Sequence, residues 1–180
     1  MITLIAGTNR RGSQTLAVTL HVKEIYEELG QAADLIDLAE LPLGVFHPDA
    51  YREKPASFEP FTKKVLESNG LVVVVPEYNG GPPGALKYFI DMLPFPESFE
   101  GRPVCFIGLS AGMWGALRPV EQMQQVFGYR NAYLFPRRVF LPGVGNLLDG
   151  MRKLKDEEIV NRVRQQAEGF VGFIQSLKRG

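Results

Sequence analysis

Residues 71–91, LVVVVPEYNGGPPGALKYFID, contain the most informative change of pattern in the chain. The first five residues are apolar and mostly β-branched, as expected for a strand that is covered on both faces. A turn rich in glycine and proline follows. Pro83 suits the first turn of a helix, which Pro94 would end. The order strand, turn, helix is the repeating unit of a parallel sheet.

The same alternation recurs along the whole chain. Apolar runs that predict strands lie at 2–6, 33–37, 71–75, 104–108 and 132–135. Helical patterns follow each of them, so we predict an α/β fold: a five-stranded parallel sheet with helices on both faces. A further strand piece, VFL, is predicted at 139–141 within a long connection.

Several residues mark the predicted helix ends. Gly30 follows the first helix as a cap, and the second helix is predicted to end near 69–70. Pro119 suits the start of the fourth helix, with Gly128 predicted as its cap. Asp156 is predicted to cap the last helix at its N-terminus.

Composition limits the classes of function. A chain of 180 residues is enough for one domain, predicted over 1–180. Twenty basic and twenty acidic residues give a formal net charge of zero, so no nucleic-acid partner is expected. No apolar run approaches the roughly 20 residues that span a bilayer, and no signal peptide is recognised. A soluble cytoplasmic protein without membrane insertion is expected.

The residue types that commonly bind metals are scarce. Cys105 is the single cysteine and lies in a predicted strand, where we expect it to be buried. His21 falls beside the apolar stripe of the first helix, and His47 lies in a proline-rich connection. Because no His or Cys residues are paired at ligand spacing, no metal site is predicted.

Ligands of open parallel sheets bind beyond the carboxyl ends of the strands, where the strand order reverses. The loop GTNRRGSQT at 7–15 offers hydroxyl donors, two arginines and the N–H groups of a helix start, which together suit a phosphate. The alternative is that Ser13 only caps the helix and the arginines are solvated. The loop is neither GxGxxG nor GxxxxGK[ST].

Two further loops are predicted at the same edge. In PEYNGGPPG, Tyr78 offers an aromatic face and Asn79 offers a donor and an acceptor to a flat heterocycle. The alternative is a rigid turn with Tyr78 packed on its neighbours. In SAGMWGALR, Met113 and Trp114 form a wall of the site, or Trp114 belongs to the core or to a subunit contact.

Taken together, the three loops resemble the NADPH-dependent FMN reductase family. GTNRRGSQT is similar to its G-[ST]-x-R-x-x-S phosphate loop, and PEYNGGPPGALKYFID to its PEYNGSxPGxLKNAID motif. SAGMWGALRPVEQMQQVF resembles the segment after its fourth strand. The resemblance implies a flavodoxin-like three-layer sandwich with strand order 2-1-3-4-5. It also implies bound FMN, with NADPH or NADH as co-substrate.

The resemblance further implies which residues bind FMN and how the reaction runs. The implied residues are Thr8, Arg10, Ser13, Gln14 and Thr15 at the phosphate, Pro76, Glu77, Tyr78, Asn79 and Gly80 along the ring and ribityl chain, and Ser110, Ala111 and Gly112 on the other side of the ring. Hydride would pass from NADPH through FMN to a flavin, a quinone or a similar small acceptor by a ping-pong mechanism. No catalytic side chain is predicted, because the flavin carries the chemistry.

The chain departs from the family pattern at five positions: Gly81, Tyr88, Phe89, Met92 and Pro119. These departures leave FMN binding intact. They leave open which acceptor is used and how the subunits assemble. For the oligomeric state, the resemblance implies a homodimer or a homotetramer.

Two arginines are candidates for reading the 2′-phosphate of NADPH. They are Arg11 and Arg118, and the alternative for both is a solvated surface arginine.

Two other functions remain open at this stage. One is a flavodoxin-type electron carrier that does not oxidise NADPH, although such proteins tend to be strongly acidic. The other is a flavin-free scaffold that has kept the fold.

Overall fold

The computed structural model describes residues 1–177, so the last three residues of the predicted domain lie outside the described part. Its sheet follows the order β2-β1-β3-β4-β5, with β6 also paired to β4, and every pairing is parallel. The strands are β1 (Ile2–Ala6), β2 (Ala33–Asp37), β3 (Leu71–Pro76), β4 (Pro103–Leu109), β5 (Tyr133–Leu134) and β6 (Val139–Leu141). The predicted strand order is confirmed.

Within residues 1–177, five α-helices cover the two faces of this sheet. They are α1 (Gln14–Glu28), α2 (Glu59–Leu66), α3 (Gly84–Met92), α4 (Leu117–Tyr129) and α5 (Glu157–Leu177). Helices α2, α3 and α4 bury their apolar residues in one core, and α1 and α5 bury theirs in a second core on the opposite face.

The central strand β3 supplies side chains to both cores. Leu71, Val73 and Val75 pack with α2, α3 and α4, while Val72 and Val74 pack with α1 and α5. Successive side chains of a strand point to opposite faces, so a continuous apolar run is what a doubly covered strand requires. The interpretation of the LVVVV run is confirmed.

The fifth strand is interrupted, which the sequence only partly predicted. β5 pairs with the start of β4 and β6 pairs with its end, leaving Phe106 without a backbone partner on that side. Pro136 lies in the gap and has no N–H to donate to a ladder. The buried side chain of Gln166 on α5 donates to the carbonyls of Phe106, at 2.9 Å, and Arg137, at 2.8 Å. A side chain thus replaces the missing strand contact.

Two of the predicted helix ends agree with the structure. Gly30 follows α1 with φ of 72°. Ser13, whose capping role was the alternative to phosphate binding, caps α1, since its Oγ accepts from the N–H of Leu16 at 3.1 Å. Asp156 caps α5, because its carboxylate accepts from the N–H of Ile159 at 3.1 Å. These contacts satisfy N–H groups that a helix leaves unpaired.

Two predicted ends are wrong. Gly128 is not a cap, because α4 continues to Tyr129 and Asn131 takes the left-handed conformation, with φ of 61°. Asparagine tolerates this conformation better than most residues do, so it serves where glycine was expected. Helix α2 ends at Leu66 rather than near 69–70.

We predict opposite effects of the same substitution at two glycines. Gly128→Ala should raise the free energy of unfolding by about 0.5–1 kcal/mol, because alanine favours a helix interior. A Cβ at position 128 would meet only Leu134, at 3.7 Å. Gly30→Ala should lower the free energy of unfolding by about 1 kcal/mol, since the left-handed conformation strains a side chain. Urea denaturation of both variants checks this, and a loss of stability in Gly128→Ala would contradict the placement of Gly128 inside α4.

Candidate functional site

A cleft opens at the carboxyl edge of the sheet, between the loops that follow β1, β3 and β4. Its volume is about 480 Å³, within the range of roughly 300–1,000 Å³ typical of small-molecule sites. Nine of the thirteen predicted site residues line it: Arg10, Ser13, Gln14, Thr15, Pro76, Glu77, Tyr78, Ser110 and Ala111. The structure therefore brings together residues from all three predicted loops.

One end of the cleft is rich in hydrogen-bond donors. Gln14 and Thr15 head α1, and the first N–H groups of a helix have no partner inside it. The Oγ of Ser13 already accepts from Leu16, but its O–H remains able to donate to a ligand. Arg10 and Arg11 add two guanidinium groups. This end is suited to an anion such as a phosphate.

The walls of the cleft are less polar than this end. Pro76, Tyr78, Leu109 and Val144 contribute apolar or aromatic surface, and the guanidinium of Arg10 lies 5.7 Å from the centre of the Tyr78 ring. Among the residues that line the cleft, Glu77 is the carboxylate. Donors at one end fit the phosphate of FMN, and the apolar and aromatic side chains beyond them fit its ring.

Thr8 and Tyr78 join the first two loops beneath the cleft. The hydroxyl groups of Thr8 and Tyr78 share a hydrogen bond of 2.6 Å, and Thr8 also accepts from the N–H of Arg10 at 3.3 Å. The side chain of Thr8 is fully buried and does not line the cleft. Thr8 therefore supports the loop through these contacts, and its role at the FMN phosphate stays a prediction.

Asn79 and Gly80 form a tight turn beside the cleft and do not line it. Both have positive φ, 52° and 78°, and the flanking Tyr78 and Gly81 exchange two backbone hydrogen bonds. Asn-Gly is the preferred pair for a two-residue turn of this kind. The Asn-Gly pair is a turn signal that the sequence contains. The prediction for Asn79 instead concerns its side chain, as a hydrogen-bond donor and acceptor for a flat heterocycle.

Gly112 also stands outside the lining of the cleft. Its carbonyl accepts from the hydroxyl of Ser110 at 3.0 Å and from the N–H of Gly143 at 3.2 Å. The segment after β6 therefore packs on the loop after β4 and places Val144 in the cleft wall. Val144 was missed because nothing in the sequence indicated that β6 ends at this edge.

The two arginine candidates for the 2′-phosphate of NADPH differ in their position relative to the cleft. Arg11 lines the cleft, whereas Arg118 is exposed and does not. Met113 and Trp114 are exposed by 76% and 64%, which excludes the core interpretation of Trp114. Cys105 is buried as predicted, and burial raises the pKa of its thiol, so it stays protonated.

Over residues 1–177 no helix is both long enough and apolar enough to cross a bilayer. In the same part of the chain, no group of three His, Cys, Asp or Glu side chains is arranged to hold a metal ion.

The strand order and the anion-binding loop after β1 define the flavodoxin-like class of α/β proteins. The sequence profile described as NADPH-dependent FMN reductase matches residues 1–145, and the chain belongs to that family. The resemblance found in the three loops is thereby confirmed.

Individual relatives agree with the family. The chain is 26% identical over 178 residues to an NAD(P)H-dependent FMN reductase of Pseudomonas aeruginosa, covering 97% of this chain and 95% of the relative. It is 29% identical over 184 residues to a quinone reductase of Escherichia coli, covering 99% and 96%. A solved flavoenzyme NAD(P)H:(acceptor) oxidoreductase from Paracoccus denitrificans superposes with a TM-score of 0.82 at 19% identity, over 97% of each chain.

These comparisons confirm the predicted enzyme class. The protein is an FMN-dependent oxidoreductase that uses NAD(P)H, and the flavodoxin-like fold class is confirmed with it.

We predict that the Thr8–Tyr78 contact is energetically coupled. Thr8→Val and Tyr78→Phe should each destabilise the protein, and the double variant should cost about 1 kcal/mol less than the sum, because both remove the same hydrogen bond. Urea denaturation of the three variants measures this coupling. Strictly additive losses would show that the 2.6 Å contact contributes no stability.

Proposed function

We propose that NADPH and a small acceptor use the cleft in turn, in a ping-pong reaction whose acceptor is a flavin, a quinone or a similar molecule. The observation that carries the proposal is the cleft at the carboxyl edge, which joins an anion-binding end to apolar and aromatic side chains. One accessible face is then available to two substrates, which must bind one after the other.

The anion-binding end would hold the phosphate of FMN. In this proposal Arg10 provides a charge-assisted contact, Ser13 donates its hydroxyl, and Gln14 and Thr15 present the N–H groups that head α1. Thr8 acts from below, through its bonds to Tyr78 and to the N–H of Arg10.

The loops after β3 and β4 would hold the ring and the ribityl chain. Pro76, Glu77 and Tyr78 form one side, and Ser110 and Ala111 form the other. The remaining members of the proposed site, Asn79, Gly80 and Gly112, act through the shape of their loops.

FMN, when bound, supplies the means of taking a hydride from NAD(P)H and of delivering two electrons to the acceptor. No side chain of the cleft needs to act as a nucleophile or a general acid. The contribution of the protein is to orient the ring and to present donors to the edge that gains negative charge.

We propose that the protein is cytoplasmic and forms a single domain over 1–180. We also propose that it has no nucleic-acid partner, which the formal net charge of zero supports. A homodimer or homotetramer is favoured by large apolar side chains that lie on the surface, among them Trp114 at 64% and Tyr129 at 86% exposure.

We predict that NADPH bleaches the protein-bound flavin in the absence of oxygen. Absorbance near about 450 nm, a property of the cofactor, should fall as NADPH is added. Steady-state rates at several quinone concentrations should give parallel double-reciprocal lines, the pattern of a ping-pong reaction. A flavin that binds but stays oxidised would instead indicate an electron carrier, and intersecting lines would exclude alternating use of one cleft.

We predict that Arg10→Ala weakens FMN binding at least about tenfold, equivalent to about 1.4 kcal/mol, through loss of a charge-assisted contact. Flavin fluorescence titration of the apoprotein measures the dissociation constant. Arg162→Ala is the matched control, because it removes the same charge from an exposed position of α5. Equal dissociation constants for all three proteins would exclude Arg10 from the phosphate site.

A further inference from the structure

A short turn in the long connection before α5 carries an arginine that the proposed function has not used. Residues 147–155, LLDGMRKLK, fold back on themselves through a bridge between Leu148 and Leu154. The carboxylate of Asp149 accepts from the N–H groups of Met151 and Lys153, both at 2.9 Å. We call this segment the Arg152 turn. Its internal bonds hold Arg152 in a left-handed conformation, with φ of 64°.

Arg152 contacts the backbone of residues 7–15, the anion-binding loop. Its Nη2 donates to the carbonyl oxygens of Gly12 and Ser13, each at 2.8 Å, across 140 and 139 residues of chain. Arg152 does not line the cleft. It lines the neighbouring depression on the outer side of α1, together with Ser13 and His21. The guanidinium therefore lies on the opposite side of the loop from the cleft.

The two contacts bear on the direction of two N–H groups. In a trans peptide the C=O and the following N–H point in opposite directions within one plane. Because the carbonyls of Gly12 and Ser13 point toward Arg152, the N–H groups of Ser13 and Gln14 point away from it. The carbonyl of Ser13 also accepts from the N–H of Ala17 at 3.2 Å, as the first bond of α1. Ser13 and Gln14 line the cleft. Arg152 thus holds the N–H of Ser13 toward the anion-binding end, and it reinforces the direction that α1 gives to the N–H of Gln14.

The Arg152 turn is itself fixed to α1. Lys153 pairs with Glu24 at 2.6 Å, and the N–H of Leu154 donates to Nδ1 of His21 at 3.0 Å. Burial lowers the pKa of His21, which keeps the imidazole neutral and able to accept. The charged groups that face this imidazole are Glu24 and Glu28 on α1 and Asp149 and Lys153 on the turn. Arg152 therefore contacts the loop from a fixed position.

We propose that Arg152 is a positioning residue that orients the anion-binding loop and thereby sets the preference of the cleft for the phosphorylated flavin over riboflavin. The inference rests on the proposed function, because it assumes that this end of the cleft holds the phosphate of FMN. Arg152 also lies beyond residues 1–145, the part of the chain that the family profile matches.

The test compares the dissociation constants of FMN and riboflavin, which differ by the phosphate. Both are titrated into the wild-type apoprotein and into the variants Arg152→Ala, Arg152→Lys and Lys155→Ala. We expect Arg152→Ala to weaken FMN at least about fivefold and to leave riboflavin within about twofold, because only the phosphate depends on the oriented N–H groups. In Arg152→Lys the preference should fall at least about threefold, since Nη2 donates to both carbonyls and the lysine ammonium ends one bond nearer the backbone.

Lys155→Ala is the matched control within the same turn. It removes one positive charge from an exposed side chain, and the N–H of residue 155 can still donate to the carbonyl of Leu147. Its FMN-to-riboflavin preference should stay within about twofold of wild type, because this side chain does not take part in the contacts that hold Arg152. An equal loss of preference in Lys155→Ala and Arg152→Ala would show that long-range charge, not positioning, is responsible.

The outcomes separate the two proposals. A wild-type protein that binds both flavins equally, or neither, overturns the phosphate site and the role of Arg152 with it. A wild-type preference that Arg152→Ala retains, or an equal weakening of both flavins, overturns the role of Arg152 alone. If Arg152→Ala does not fold, the lysine variant decides, and a preference within about twofold of wild type overturns the inference.

Discussion

Burial of β3 on both faces is the constraint on which the rest of the structure depends. Residues 71–75 of this strand are fully buried, so helices must pack on each side of the sheet. Helices that cover both faces connect the strands by crossovers, and crossovers keep the strands parallel. Parallel strands end at one edge. The loops after β1, β3 and β4 consequently meet there, and the cleft is a result of the same burial that stabilises the sheet.

The sequence predicted the parts of the fold that follow from local pattern. Runs such as 71–75 and helix ends such as Gly30 and Asp156 depend on neighbouring residues, and they agree with the structure. The helix end at Gly128 failed for a physical reason. Glycine permits a left-handed conformation without requiring it, and Asn131 adopted that conformation three residues later.

The site was predictable where residues of one loop act together and not where distant segments meet. Nine of thirteen predicted residues line the cleft, because all three motifs follow strands that end at one edge. Val144 and Arg152 belong to connections without a periodic pattern, and their contacts span long stretches of chain. Thr8 shows a second limit of prediction from sequence. A small polar residue in a binding motif can support the loop as readily as it can contact the ligand, and the motif does not distinguish these roles.

The two arginines at the mouth of the cleft have a consequence for encounter rates. Arg10 and Arg11 stand beside the positive end of a helix dipole, while the chain as a whole carries no net charge. The attraction felt by an approaching anion is therefore local and extends about one Debye length, roughly 8 Å at physiological ionic strength. Polyanions are guided over the last few ångströms of their approach, and neutral molecules arrive by unaided diffusion. Added salt therefore slows the capture of anionic substrates and leaves the capture of neutral substrates unchanged.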